Sequence, residues 1–241
     1  MNDYYNNYNN GSEAYGQPVL SIQEYTARTF LWMFVGLLIT FGVGIAGMMS
    51  GMVYLVLVRM PWLMLALLVA TLALSITMAA RIERMSVGAA QGLFLTFSAL
   101  MGVTMSVTLS GYDLGAVIIV FAAAALYFAV MALFGHFTGI DLSRMGPILL
   151  SGLTFLVILG ILGLFIPFLS LSNNFFCYVG IVLFLGYTAY DTQQIRNYYS
   201  YYCGYPDMLE KAAVFSALQL YLDFLNLFIR LLQLFGRRRR N

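Results

Sequence analysis

Charged side chains are scarce in this chain: they make up 9% of its 241 residues, whereas 61% of the residues are apolar. Soluble domains carry roughly 25% charged and roughly 45–50% apolar residues. A soluble fold with so few charges could not cover its own surface with polar groups, so a soluble domain of this size is excluded. The composition predicts an integral membrane protein whose outer surface faces lipid.

Cysteine and histidine are almost absent, which limits the chemistry of the chain. The two cysteines, Cys177 and Cys203, fall near opposite ends of one predicted helix and are 26 residues apart. This separation is roughly 39 Å of helix, far beyond disulfide reach. His136 is the only histidine, and we place it in a loop as a surface residue. A Cys/His metal site is thereby excluded, and no phosphate-binding or hydrolase motif is present. We predict neither an enzyme nor a resident cofactor.

Basic residues are also few, and apart from arginines 237–240 they are scattered along the chain, with a net charge of only +2. This pattern does not form a basic surface of the kind that binds nucleic acid, so nucleic-acid binding is not predicted. The first 22 residues are rich in Asn and Tyr and contain no Lys or Arg. We therefore predict a disordered tail over 1–22, a membrane domain over 23–236 and a short basic tail over 237–241.

Seven continuous apolar runs fill the membrane domain, and each reaches the roughly 20 residues that a helix needs to cross a bilayer. Charged or turn-forming residues separate the runs. The predicted spans cover residues 30–50 (with an extension to 58 left open), 60–80, 85–110, 114–135, 145–169, 175–199 and 206–235.

The charges between the spans orient them in the membrane, because cytoplasmic loops carry an excess of Lys and Arg. With a cytoplasmic N-terminus, the opposite loops contain only Arg59, and the cytoplasmic side holds Arg28, Arg81, Arg84, Arg144, Arg196 and Lys211. We therefore predict a cytoplasmic N-terminus. Seven crossings would put arginines 237–240 on the far side, so either the last segment stops short or the earlier spans fix the topology.

Two of the ten acidic residues, Asp191 and Asp223, lie deep inside predicted spans. A hairpin turned near Asp207 would bring both to a similar depth, about sixteen residues or roughly 24 Å from the turn. Two carboxylates that meet in a low-dielectric site cannot both ionise cheaply and are expected to share a proton. The pair indicates a proton-responsive latch or a cation site. The alternative is that each aspartate bonds separately to a neighbour and only orders the bundle.

Further polar residues stand near the pair or at the end of the second span. Two of them, Arg81 and Arg84, are candidate partners for a carboxylate. The others are a further acid, a phenol and an amide: Glu83, Tyr190 and Asn226. The dipeptide Tyr190-Asp191 matches half of the signature of intramembrane aspartyl proteases. The residues before Asp223 are Leu-Tyr-Leu instead of the Gly-x-Gly of the second half, so a protease is not predicted.

The stretch GYTAYDTQQI at 186–195 and the stretch YLDFLNLF at 221–228 resemble the two signatures of the Bax inhibitor-1 family, also called the transmembrane Bax inhibitor motif family. The loop sequence GIDLS at 139–143 is similar to a pattern of the same family. The resemblance covers residues 30–235, and bacterial members are the nearest type. It implies an all-α, seven-transmembrane-helix bundle in which six helices surround a central last helix.

The resemblance further implies a pH-sensitive, passive calcium leak gated by an aspartate pair on the sixth and seventh helices. The matching positions here are Asp191 and Asp223, which also form the candidate Ca²⁺ site, and the pairing arginine of the second helix falls on Arg81, with Arg84 as the fallback. We expect a bacterial inner-membrane protein with lipid and Ca²⁺ as partners, and the oligomeric state stays open. The alternative is a non-conducting regulator of a membrane-bound ATP-dependent protease or of a stress response.

Overall fold

Seven membrane-length helices dominate the computed structural model, which describes residues 20–51, 59–165 and 173–238. A 3-10 turn at Ser143–Met145 precedes the fifth helix. The helices are α1 (Ile22–Ser50), α2 (Pro61–Arg81), α3 (Val87–Ser110), α4 (Leu114–Phe137), α5 (Gly146–Phe165), α6 (Asn173–Tyr202) and α7 (Pro206–Phe235). The predicted all-α, seven-span architecture is confirmed.

Local capping explains where several helices begin and end. The hydroxyl of Ser21 accepts from the backbone N–H of Glu24 at 3.2 Å, and the Glu24 carboxylate accepts from the N–H of Ser21 at 2.9 Å. This capping box starts α1 about two turns before the predicted span. Ser86 and Asp113 cap α3 and α4 in a similar way. Gly51 ends α1 with a φ of 64°, a left-handed conformation that favours glycine.

The end of α4 corrects one prediction. The backbone N–H of Thr138 donates to Phe134 O at 2.8 Å, so α4 continues to Phe137. His136, which we predicted in a loop, therefore lies in the last helical turn of α4. The predicted extension of the first span over 52–58, the end of the fifth span over 166–169, and the terminal stretches 1–19 and 239–241 lie outside the described residues.

The last helix forms the centre of the bundle. In the apolar 18-residue stretch of α7 that could cross a membrane, 72% of the residues are buried, whereas the corresponding share in the other six helices is 11–39%. Helix α7 packs mainly on α1, α3, α4 and α6, whereas α2 packs on α3 and α5 packs on α6 at the periphery. The central position that the resemblance implied is confirmed, although four helices rather than six form its main contacts.

Glycine permits two of the closest helix contacts. A Cβ on Gly102 of α3 would lie 2.8 Å from Thr40 O of α1, and a Cβ on Gly135 of α4 would lie 2.8 Å from the Cα of Ala189 in α6. Any side chain at either position would force the helices apart. The contact at Gly135 matters for the site, because Ala189 lies two residues before Asp191 in α6.

The two ends of the described chain lie at opposite ends of the bundle. Near the end of α6, the Tyr199 hydroxyl donates to Leu20 O at 2.8 Å. Beyond α7, the N–H of Asp113 donates to Arg237 O at 2.9 Å, and Arg238 forms an antiparallel bridge with Tyr112. Because α7 begins beside the end of α6, it crosses the whole bundle. The structure therefore favours seven full crossings over a last segment that stops short.

Candidate functional site: a buried aspartate pair

Asp191 of α6 and Asp223 of α7 meet inside the bundle. Their exposed fractions are only 7% and 5%, and their carboxyl groups lie within hydrogen-bonding reach of each other. The turn between the helices lies at residues 203–205, so Asp191 is closer to it along the chain than Asp223 is. The symmetric placement about Asp207 is therefore not observed, but the predicted meeting of the two side chains is.

One oxygen of this pair lacks a partner within the described part of the chain. Asp223 Oδ2 is buried and accepts no hydrogen bond there, and neither aspartate forms a salt bridge with any described residue. A buried acceptor without a partner is costly. A shared proton would satisfy one oxygen of the pair, and a passing cation would satisfy more. The arrangement is therefore suited to a change of charge state.

The donor set is too small to hold a calcium ion tightly. Ca²⁺ takes roughly 6–8 oxygen ligands in proteins, and two carboxyl groups supply at most about four. The nearby hydroxyls of Thr188 and Thr192 donate to carbonyls of their own helix. Over residues 20–51, 59–165 and 173–238, no cluster of three or more His, Cys, Asp or Glu side chains occurs. The pair fits a cation that passes with part of its water better than a resident ion.

Two tyrosines of α6 near Asp191 in the sequence differ in their position relative to the aspartate pair. The phenol of Tyr187 is close enough to interact electrostatically with both aspartates. Tyr190, the predicted supporting residue, instead places its phenol against Gly146 at the start of α5, where a Cβ would lie 2.8 Å from the hydroxyl. The amide Nδ2 of Asn226 donates to Leu222 O within α7 at 2.8 Å. These contacts assign Tyr190 and Asn226 to helix packing rather than to direct bonds with the carboxyl groups.

The structure does not bring the second-helix charges to the pair. Arg81, the last residue of α2, and Arg84, in the turn that follows, are both exposed. Glu83 of the same turn accepts a hydrogen bond from the Tyr202 hydroxyl at 3.2 Å. This turn adjoins Lys211 in α7, which precedes Asp223 by twelve residues or roughly 18 Å of helix. An ion pair between Arg81 and the aspartate pair therefore requires a different position of α2. This ion pair stays a prediction for a conformation other than the one described.

Lys211, which we counted above only among the cytoplasmic charges, is a buried charge. Its side chain is 6% exposed, and its ammonium group donates to Glu83 O at 3.1 Å and to Met85 O at 3.2 Å. These bonds attach the α2–α3 turn to the first turns of the central helix. One signal was available in the sequence, since Lys211 is its only lysine and lies within the predicted seventh span.

A second polar contact attaches the α4–α5 loop to α6. The Gln193 amide donates to Ile140 O at 2.8 Å and accepts from the N–H of Leu142 at 2.7 Å. Within this loop, hydrogen bonds from Ser143 lower the pKa of Asp141 below its ordinary value. Asp141 therefore stays ionised throughout pH 5–8, so it cannot supply a pH response in that range.

Comparison with known proteins agrees with this architecture. The family model described as "Inhibitor of apoptosis-promoting Bax1" matches residues 22–240. Inner membrane protein YbhL of Escherichia coli K12 is 35% identical over 229 residues, which cover 95% of this chain and 97% of that protein. An uncharacterised protein of Deinococcus radiodurans is 36% identical over 88% of this chain and 90% of its own length.

A third similar protein, uncharacterised and from Borreliella burgdorferi, is 32% identical over 92% of this chain and 96% of its own length. The family match over residues 22–240 spans all seven helices. The seven-helix bundle, the two sequence signatures and these matches lead to one conclusion: the chain is an integral membrane protein that belongs to the Bax inhibitor-1 family.

Proposed function

We propose that this protein is a pH-sensitive passive leak for Ca²⁺ and that the Asp191–Asp223 pair forms its gate. One observation carries the proposal: two buried carboxyl groups meet on the central helix and its hairpin partner, and Asp223 Oδ2 accepts no hydrogen bond from the described residues. We place the protein in a bacterial inner membrane with its N-terminus in the cytoplasm.

The physical basis of the gate is the force between the two carboxyl groups. When they share one proton, they hold α6 against α7. When both ionise, two unit charges about 4 Å apart repel by about 4 kcal/mol at an effective dielectric constant of about 20. A second proton instead removes the charge that a cation would meet. A repulsion of this size would change a closed–open equilibrium by orders of magnitude, because about 1.4 kcal/mol is a factor of ten.

The test is Ca²⁺ flux into liposomes that contain the purified protein, measured from pH 5 to pH 8. We compare the wild type with Asp191→Asn and Asp223→Asn, which keep the side-chain shape but cannot titrate. Asp207→Asn is the matched control, since Asp207 is an exposed aspartate in the first turn of α7. We expect pH-dependent flux in the wild type and in the control, and a flux independent of pH in both gate variants.

Two results would contradict the proposal. Flux from the folded wild type that never exceeds that of empty liposomes would exclude the leak and favour the non-conducting regulator. Flux whose pH dependence survives in both gate variants would show that another group senses pH. Circular dichroism of each variant verifies the fold before either result is interpreted.

A further inference from the structure

A groove runs between α1 and α4 on the outer surface of the bundle. It has a volume of about 550 Å³, and its walls are apolar. The central wall residues are Phe30, Phe34 and Leu37 of α1 and Phe128, Ala129 and Ala132 of α4. Two of them, Phe34 and Ala129, are exposed on the outer surface, Phe34 to 57%. In a membrane protein such a lateral groove opens to lipid tails rather than to water.

One end of the groove is polar. There it continues into a second cavity of about 480 Å³, which shares Thr26, Phe30 and His136 with the apolar part and adds Gln23 and Arg196. The polar end lies at the first turn of α1 and the last turn of α4. Because both helices are long and apolar enough to cross a bilayer, we expect these helix ends near the level of the lipid headgroups.

Arg196 is held at this polar end by its own hydrogen bond. Its Nη2 donates to Gly135 O at 3.3 Å, near the C-terminus of α4. Arg196 lines this cavity and also a neighbouring one that Asp141 lines, and among the described residues no carboxylate forms a salt bridge with it. Arginine presents five N–H donors in a plane that matches phosphate oxygens. The site therefore offers donors and positive charge for an anion.

We propose that this groove binds one anionic phospholipid, with an acyl chain between α1 and α4 and the headgroup phosphate at Arg196 and His136. The dimensions agree with this occupant. From Thr26 to Leu37 the groove follows eleven residues of helix, roughly 16 Å, and one leaflet is about half of the roughly 30 Å hydrocarbon core. The cationic end and the leaflet-length apolar part together fit a lipid better than a free anion or an apolar helix.

The experiment is native mass spectrometry of the detergent-purified full chain titrated with phosphatidylglycerol or with phosphatidylcholine. We expect one site that binds phosphatidylglycerol about tenfold more tightly than phosphatidylcholine. Arg196→Gln should weaken phosphatidylglycerol binding about tenfold, since a charge-assisted bond to phosphate is lost. Arg196→Lys, which keeps the charge, should restore part of that affinity. Arg144→Gln is the matched control, because Arg144 is an exposed arginine at the same end of the bundle and lies outside the groove.

A second pair of variants tests the apolar part independently of charge. Ala129→Leu should fill the groove and weaken the binding of both lipids, whereas Ala122→Leu, exposed two turns away on α4, should leave both unchanged. This pair keeps the proposal testable even if Arg196→Gln fails to fold.

Three results would overturn the proposal: equal affinity of the wild type for the two lipids, equal behaviour of Ala129→Leu and Ala122→Leu, or displacement of the lipid by millimolar inorganic phosphate. The last result would identify a free phosphate as the ligand.

Discussion

Replacing Gly135 by alanine tests how closely the α4–α6 contact controls the bundle. A Cβ at this position would overlap the Ala189 carbonyl oxygen and lie 2.8 Å from its Cα and 2.9 Å from its carbonyl carbon. Ordinary contacts of a Cβ begin at 3.4 Å. The obstacle is backbone rather than a flexible side chain, so the two helices must separate by at least about 0.6 Å, the difference between 3.4 and 2.8 Å.

Forcing an extra methyl group into a packed interior costs typically about 1–3 kcal/mol. For a chain of this size, 2 kcal/mol corresponds to a decrease of roughly 4–8 °C in Tm. The control is Gly160→Ala in α5, where a Cβ would meet nothing within 4 Å. Because alanine favours a helix over glycine by about 0.5–1 kcal/mol, the control should be neutral or slightly stabilised. The two substitutions are chemically identical, and only Gly135→Ala is expected to lower the stability.

The assay is thermal unfolding of both variants in the same detergent, followed by the liposome flux measurement. The displacement of α6 should also change the pH dependence of flux, since Ala189 lies two residues before Asp191. A Gly135→Ala variant as stable as Gly160→Ala would refute the inference that α4 and α6 meet at backbone distance.

Two further predictions concern the ends of the bundle. Lys211→Met leaves Glu83 O and Met85 O without their donor, so we expect a loss of about 1–3 kcal/mol in the free energy of unfolding, measured by chemical denaturation in detergent. Arg81→Gln, at an exposed position, should change it by less than about 0.5 kcal/mol, and equal losses in the two variants would argue against the attachment of the turn. The second prediction uses Leu20→Cys and Arg238→Cys in a background without Cys177 and Cys203. Because the two positions lie at opposite ends of the bundle, an impermeant reagent should label them from opposite sides of the membrane. Labelling of both from one side would contradict seven full crossings.

Much of the fold could be predicted because each helix depends mainly on its own stretch of sequence. A membrane-spanning helix is recognised by its own length and apolar content, and α7 occupies the predicted range 206–235. The boundaries that differed depended on hydrogen bonds at helix ends. The Ser21–Glu24 capping box lengthened α1, and the bond from Thr138 to Phe134 kept His136 in α4.

The aspartate pair was also predictable, because it follows from two carboxylates in apolar sequence on the two arms of one hairpin. Their meeting required only that consecutive helices pack side by side. The position of Arg81 was not predictable in the same way. Whether an arginine of α2 reaches the pair depends on how a peripheral helix is placed against α7. That placement involves contacts between distant parts of the chain, such as the bonds of Lys211 to a turn more than a hundred residues earlier.

The amino-acid sequence by itself therefore determined that the outer surface faces lipid, how many helices cross the membrane and which acids are buried. These features follow from the hydropathy and charge of individual residues. Only the tertiary structure decided that the second-helix arginines lie away from those acids and that a groove with a cationic end opens between α1 and α4. The physical reason is that these features depend on the rotation and spacing of helices, which are set by contacts such as Gly135 on Ala189 between residues far apart in the chain.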